Sequence, residues 1–172
     1  MYCGTTSNST PTGTPITVHP GREEESPFQI LDILQSEGAD LSRICIPHLC
    51  RTFLNHSKFL ELATRQCYIN ISLFGKECSH NQYATHLDVP SDAQRLGMVK
   101  TLLQSGYKDK VLMSQDVVCK HELRCYGGYG YAHLLEHIKP KMEERGMSKD
   151  TIDTIFTENP KAWLVPGPTG KQ

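Results

Sequence analysis

The sequence predicts an α/β domain built on a parallel sheet, and three observations carry that reading. First, four short apolar runs, "PITVH", "RICIPH", "CYINISLF" and "KVLMSQD", are rich in the branched residues of buried strands. Second, a helical pattern follows each of them, so the connections are crossovers rather than hairpins. Third, three of the four runs finish on a polar group, His19, His48 or Asp116, at the end of the strand where open α/β sheets collect ligands. Strand, helix, strand, helix means βαβ units with right-handed crossovers.

The strands are expected near residues 14–19, 43–47, 67–73 and 110–115. Before them, residues 1–13 are rich in Ser, Thr, Gly and Pro and read as a disordered tail, leaving one domain over 14–172. The first helix lies in "SPFQILDILQSEG", with Ser26 as N-cap, Pro27 in the first turn, Gln29 completing a capping box and Gly38 past the end. A shorter helix, "SKFLELATRQ", is expected to be capped by Ser57. A long loop, "FGKECSHNQYATHLDVP", follows the third strand, and then Ser91 and Gln94 open a helix whose Leu96, Val99, Leu102 and Leu103 recur at helical spacing up to Gly106. The fourth strand leads to a glycine-rich turn, "YGGYGY", a helical stretch ending at Gly146, and a last helix that Asn159-Pro160 is expected to stop.

Composition narrows the function. The chain has 172 residues, 38% hydrophobic and 22% charged, with a formal net charge of -1, so it lacks the field that draws proteins to nucleic acid or anionic membranes. No apolar stretch approaches the roughly 18 residues of a membrane span, and the opening lacks a secretory pattern, so a cytoplasmic location is the expectation. Seven cysteines form an odd set without a CxxC pair, which favours packed, reduced thiols over a disulfide framework or a Cys-type zinc site.

Two imidazoles and a carboxylate at neighbouring strand ends are the ligand types of a catalytic zinc or similar divalent metal. Each also has a plainer reading: His19 as a turn residue before Pro20-Gly21, His48 as a satisfied loop histidine, Asp116 as a capping or loop carboxylate. Three such coincidences at equivalent places are harder to accept, and the metal reading is preferred. His56, His121 and His137 sit in polar contexts that suggest solvated side chains, while His80 and His86 lie in the long loop after the third strand and are the weaker candidates for substrate contact. The turn "YGGYGY" has neither the lysine of a P-loop nor GxGxxG spacing, so a nucleotide site is rejected. Its glycines are expected to let backbone pass close to the mouth, with Tyr129 or Tyr131 lining it. Arg22 is a candidate for an anionic substrate group, or a partner for Glu23–Glu25.

The segments "ITVHPGR", "ICIPHLCRT", "YINISLFG", "VLMSQDVVCKHEL", "YGGYGYAHL" and "IFTENPKAWL" come in an order and spacing that resemble the carboxyl-terminal half of phosphotriesterase-related proteins, in the amidohydrolase superfamily. The resemblance implies the second half of a TIM (β/α)8 barrel carrying a two-metal centre, usually zinc. It implies that His19, His48 and Asp116 are the ligands from strands five, six and eight, with Asp116 also accepting the proton of the attacking water. It implies hydrolysis of ester or amide bonds in small molecules, N-acyl compounds such as N-acetyltaurine among them.

The departures from that pattern matter too. Nothing before His19 supplies the His-x-His pair of the first strand or the bridging residue of the fourth. Pro47 stands where Gly is frequent, Cys50 where an acidic residue is usual, Ser72 where this branch tends to carry Asp, and Gln115 before the aspartate. Four strands cannot close an eight-stranded barrel, so the chain alone is expected to be an inactive hydrolase with one metal or none. The rival expectation is a non-catalytic half-barrel that self-associates through its exposed strand edge or recruits a partner.

Overall fold

The computed structural model describes residues 13–53, 55–76 and 88–165, without the side chain of His56. Apart from Gly13, the expected tail lies outside the described residues, as do His80 and His86.

Four strands, β1 (Ile16–Thr17), β2 (Ile44–Ile46), β3 (Tyr68–Ile71) and β4 (Val111–Met113), form one parallel sheet in the order β1-β2-β3-β4. The regular elements are shorter than the predicted runs, yet the ladder continues toward their carboxyl ends. Val18 N–H donates to the Cys45 carbonyl at 3.0 Å, and Ser114 N–H to that of Ile71 at 3.2 Å. The apolar runs thus carry extended backbone up to the mouth where His19, His48 and Asp116 sit.

Alternation divides the side chains between two faces. Ile44, Ile46, Ile69, Ile71 and Val111 join the main core, which the helices cover. Cys45, Tyr68 and Leu112 make a smaller cluster, against which Trp163 packs. Helices α1 (Ser26–Ser36), α2 (Leu49–Thr52), α3 (His56–Ala63) and α4 (Asp92–Gln104) bring Phe28 and Leu31, Leu49 and Cys50, Phe59 and Leu62, and Leu96, Val99 and Leu102 to that core. Each large apolar side chain so buried contributes about 1.5–3 kcal/mol relative to exposure. Short helices α5 (Lys139–Glu144), α6 (Lys149–Asp153) and α7 (Asn159–Leu164) close the described chain. No helix among the described residues is long and apolar enough to cross a membrane.

Three local expectations need correction. Ser26 does not cap α1: Glu25 holds the N-cap position without a side-chain bond, and Ser26 Oγ instead accepts from Gly21 N–H at 2.8 Å, fastening the "HPGR" turn to the helix. In α3 the cap is Asn55, whose Oδ1 accepts from Ser57 N–H at 3.0 Å; Ser57 is one residue too late. Asn159-Pro160 does not stop the last helix. A π-helical turn, Thr154–Glu158, precedes it and widens the helix where the proline lacks its N–H, so α7 runs on to Leu164. The same device, Leu134–Ile138, admits Pro140 into α5. Ser91 and Gln94 do form the predicted capping box at the start of α4.

Candidate functional site at the carboxyl ends of the strands

His19 lies just beyond β1, His48 just beyond β2 and Asp116 just beyond β4, and the sheet brings all three to one mouth. The rings of His19 and His48 are 4.7 Å apart between centroids, and His48 Nε2 faces Asp116 Oδ2 at 4.0 Å. Both His48 and Asp116 adopt positive φ, 64° and 73°, a conformation uncommon for side-chain-bearing residues. It turns the chain sharply where each strand ends, and such turns recur at functional positions.

His48 is buried and anchored through Ser72, at the end of β3. Ser72 Oγ accepts from the His48 backbone N–H at 3.0 Å and lies 2.7 Å from His48 Nδ1. Burial, then the charge of Arg51, push the imidazole down to about 4, against the opposing pull of Asp116. His48 is therefore neutral at physiological pH. His19 is exposed, and its Nε2 is engaged: Arg51 Nη2 donates to it at 2.8 Å. Arg51 stands on α2, three residues beyond His48, which sets it beside the mouth.

Lys76 closes the other side. Its ammonium is 3.9 Å from Asp116 Oδ2 and 2.8 Å from Glu122 Oε1. Glu122 in turn accepts from the backbone N–H groups of Val118 and Cys119. Burial would raise the Glu122 carboxyl, but the bonds from Lys76, Cys119 and Val118 hold it below its usual range.

A cavity of about 350 Å³ opens next to these groups, between Phe74, Lys76, Gln115, Glu122 and the glycine-rich turn. Gln115 donates to the Gly130 carbonyl, tying the end of β4 to that turn. The need for glycine is sharpest at Gly128, where a Cβ would lie 2.2 Å from the backbone of Glu122. Tyr129 lines the cavity; Tyr131, 74% exposed, is not among its lining residues. Arg22 lies near enough to Arg51 for the two charges to oppose each other.

Sequence reasoning passed over a buried polar network beneath the mouth. Asp92, first residue of α4, accepts from Gly75 N–H at 2.9 Å and Arg95 Nη1 at 2.7 Å, and its Oδ2 lies 2.7 Å from His133 Nε2. Arg95, fully buried, also donates to the Lys76 carbonyl at 2.8 Å. The i, i+3 spacing of Asp92 and Arg95 was a legible signal; His133 carried none, since its partner is 41 residues away. Together these groups fix the segment that carries Lys76.

Among the described residues no group of three or more His, Cys, Asp or Glu side chains could hold a metal ion. His19 cannot offer a ring nitrogen that already accepts from a guanidinium.

Comparison with known proteins completes the description. The model of the phosphotriesterase family matches residues 2–164. A phosphotriesterase-related protein of Nematostella vectensis is 45% identical over 154 residues, 90% of this chain and 44% of that protein. An N-acetyltaurine hydrolase of Bos taurus is 42% identical over 153 residues, 89% of this chain and 44% of its own. The chain thus spans less than half the length of these relatives. Among solved structures, a resiniferatoxin-binding protein from Rhodobacter sphaeroides superposes with a TM-score of 0.80 at 28% identity, covering 87% of this chain and 41% of that one. The phosphotriesterase homology protein from Escherichia coli gives 0.75 at 27%, covering 89% and 49%. The four parallel strands are thus half of a TIM barrel, and the chain belongs to the phosphotriesterase family.

Proposed function

We propose that this chain supplies the carboxyl-terminal wall of a small-molecule hydrolase site, acting on ester or amide bonds, with N-acyl compounds such as N-acetyltaurine as the leading substrate class. The observation that carries the reading is the convergence of a neutral His48 and the Asp116 carboxylate, 4.0 Å apart at the carboxyl ends of β2 and β4, beside a cavity. The relative named for N-acetyltaurine hydrolysis supports the substrate class. Asp116 is the group suited to accept a proton from water attacking a carbonyl held in the cavity. Arg22, Tyr129 and Tyr131 are assigned to substrate contact, and of the three Tyr129 lines the cavity.

A divalent metal, zinc by family resemblance, needs more than this chain offers. Its ligands would have to include groups from other strands, and His19 would have to leave Arg51. The chain alone is therefore proposed to turn over little or no substrate. The test is hydrolysis of aryl esters, phosphotriesters, N-acyl amino acids and N-acetyltaurine with added zinc, comparing wild type with His48→Ala and Asp116→Ala. Turnover abolished by both substitutions would show that the 172 residues build a working site and would overturn the claim of inactivity.

A second reading rests on the sheet edges. Among the described residues β1 pairs only with β2 and β4 only with β3, leaving two parallel edges open. Open edges favour pairing with another chain, so we also propose self-association, and a cytoplasmic protein without nucleic-acid or membrane partners.

A further inference from the structure

We propose that His133 and His137 together bind one late-transition divalent ion, of the copper, nickel or zinc class, at a site outside the mouth. The inference stands apart from the hydrolase reading, since neither histidine lines the cavity at the mouth and no turnover is required.

The first argument is an unsatisfied nitrogen. His133 is 3% exposed, and its Nε2 lies 2.7 Å from Asp92 Oδ2. That carboxylate also accepts from Gly75 N–H and Arg95, so it meets Nε2 as an acceptor, and the neutral ring carries its lone pair on Nδ1. Nδ1 is buried and has no hydrogen-bond partner among the described residues. A buried polar atom left in that state costs about 1–3 kcal/mol. A ring with one nitrogen donating to a carboxylate and the other bare is the arrangement of metal-ligating histidines, because the carboxylate fixes the tautomer and makes the bare nitrogen more basic.

The second argument is the partner four residues on. His133 and His137 sit around the π-helical turn Leu134–Ile138, with ring centroids 5.3 Å apart and planes inclined by 51°. A ring nitrogen lies about 1.1 Å from its centroid and binds a metal at about 2.0–2.1 Å, so two imidazoles on one ion at the tetrahedral angle hold their centroids about 5.2 Å apart. The observed spacing thus fits one shared ion. His137 is exposed, and its ring nitrogens make no hydrogen bond among the described residues. Both rings line a cavity of about 440 Å³, and rotation of the His137 side chain admits the ion from it. On that cavity Asp92 is matched by Arg95 and Glu136 by Arg124, while Glu144 and Lys141 offset each other. Imidazole nitrogens rather than carboxylates therefore set the preference, which favours copper(II), nickel and zinc over magnesium or calcium. Because no group of three His, Cys, Asp or Glu side chains among the described residues could hold an ion, water completes the coordination.

The test uses the full chain and nickel chloride, by calorimetry and by ring 1H–15N spectra. The background carries His19→Ala and His48→Ala, which removes the histidines of the mouth. One nickel ion is expected to bind there, with affinity reduced at least about ten-fold when His137→Ala is added. The melting temperature should rise with nickel in the background chain and stay unchanged once His137→Ala is present. Nickel below one equivalent should broaden the ring resonances of His133 and His137 before those of His56, His80, His86 and His121. No binding, binding indifferent to His137→Ala, or broadening that begins at the other histidines would overturn the proposal. So would magnesium binding as tight as nickel binding. Should the background chain fail to fold, the broadening pattern in wild type and in His137→Ala decides.

Discussion

Replacing Asp92 by Asn tests whether the buried network under the mouth holds the fold. The carboxylate touches Gly75 N–H, Arg95 and His133, all within 2.9 Å by their shortest contacts, and Arg95 is 0% exposed. Removing the charge leaves a buried guanidinium without its counter-charge, a change that costs about 3–5 kcal/mol. For a domain of this size about 2–4 °C is lost per kcal/mol, so the melting temperature should fall by roughly 6–20 °C. Asp32→Ala is the internal control: its bond to Arg65 is as short, 2.7 Å, but Asp32 is 64% exposed, and such pairs contribute about 0–1 kcal/mol. The pH dependence has a definite sign. Burial alone would raise the Asp92 carboxyl, but the bonds from His133, Gly75 and Arg95 prevail and hold it below its usual range. Its contribution is therefore present above the unfolded value, about 4, and is lost as pH falls through the folded one. The gap between wild type and Asp92→Asn should close in that acid window. Urea unfolding at pH 7 and below pH 4 measures both. A loss at pH 7 no larger than that of Asp32→Ala would refute the reasoning.

Other substitutions probe separate parts of the account. Asn159→Ala removes two bonds of 2.8 Å, to the carbonyls of Lys108 and Val111, and should destabilise by about 1–3 kcal/mol in urea unfolding. Gly128→Ala would drive a methyl into the backbone of Glu122 and should displace the glycine-rich turn, seen as shifted amide resonances at Gly127–Gly130 and lost order at Tyr129. His48, held down to about 4, should stay neutral in an NMR titration from pH 8 to pH 5. Because its folded value lies below the unfolded one near 6.5, its contribution is full above that value and falls away as pH drops from there toward about 4.

The residues that build the sheet were readable because their signal is local. "RICIPH" and "KVLMSQD" combine branched apolar runs with a polar end, and the pleat and the parallel order then force those ends into one mouth. The caps were less secure: Asn55 and Ser57 both suit an N-cap, and only the backbone turn decides between them. Pro160 misled because a proline stops an α-helix but not one relieved by a π-turn, and no residue type announces that turn. The polar network was hidden for another reason. Asp92, Gly75 and His133 meet through tertiary structure, across separations of 17 and 41 residues. Arg51 carried no signal of its role, because a cation is not a ligand type, yet it is the group that engages His19.

The central claim is that His48 and Asp116 belong to one hydrolytic site of which this chain is a part. The most direct measurement mixes the chain with the separately expressed amino-terminal half of the Bos taurus N-acetyltaurine hydrolase and follows N-acetyltaurine hydrolysis in the presence of zinc. Turnover is predicted to appear on mixing, to exceed that of either part by at least about a hundred-fold, and to vanish when this chain carries His48→Ala or Asp116→Ala. A complex that forms and stays inactive, or one whose turnover ignores both substitutions, would contradict the account.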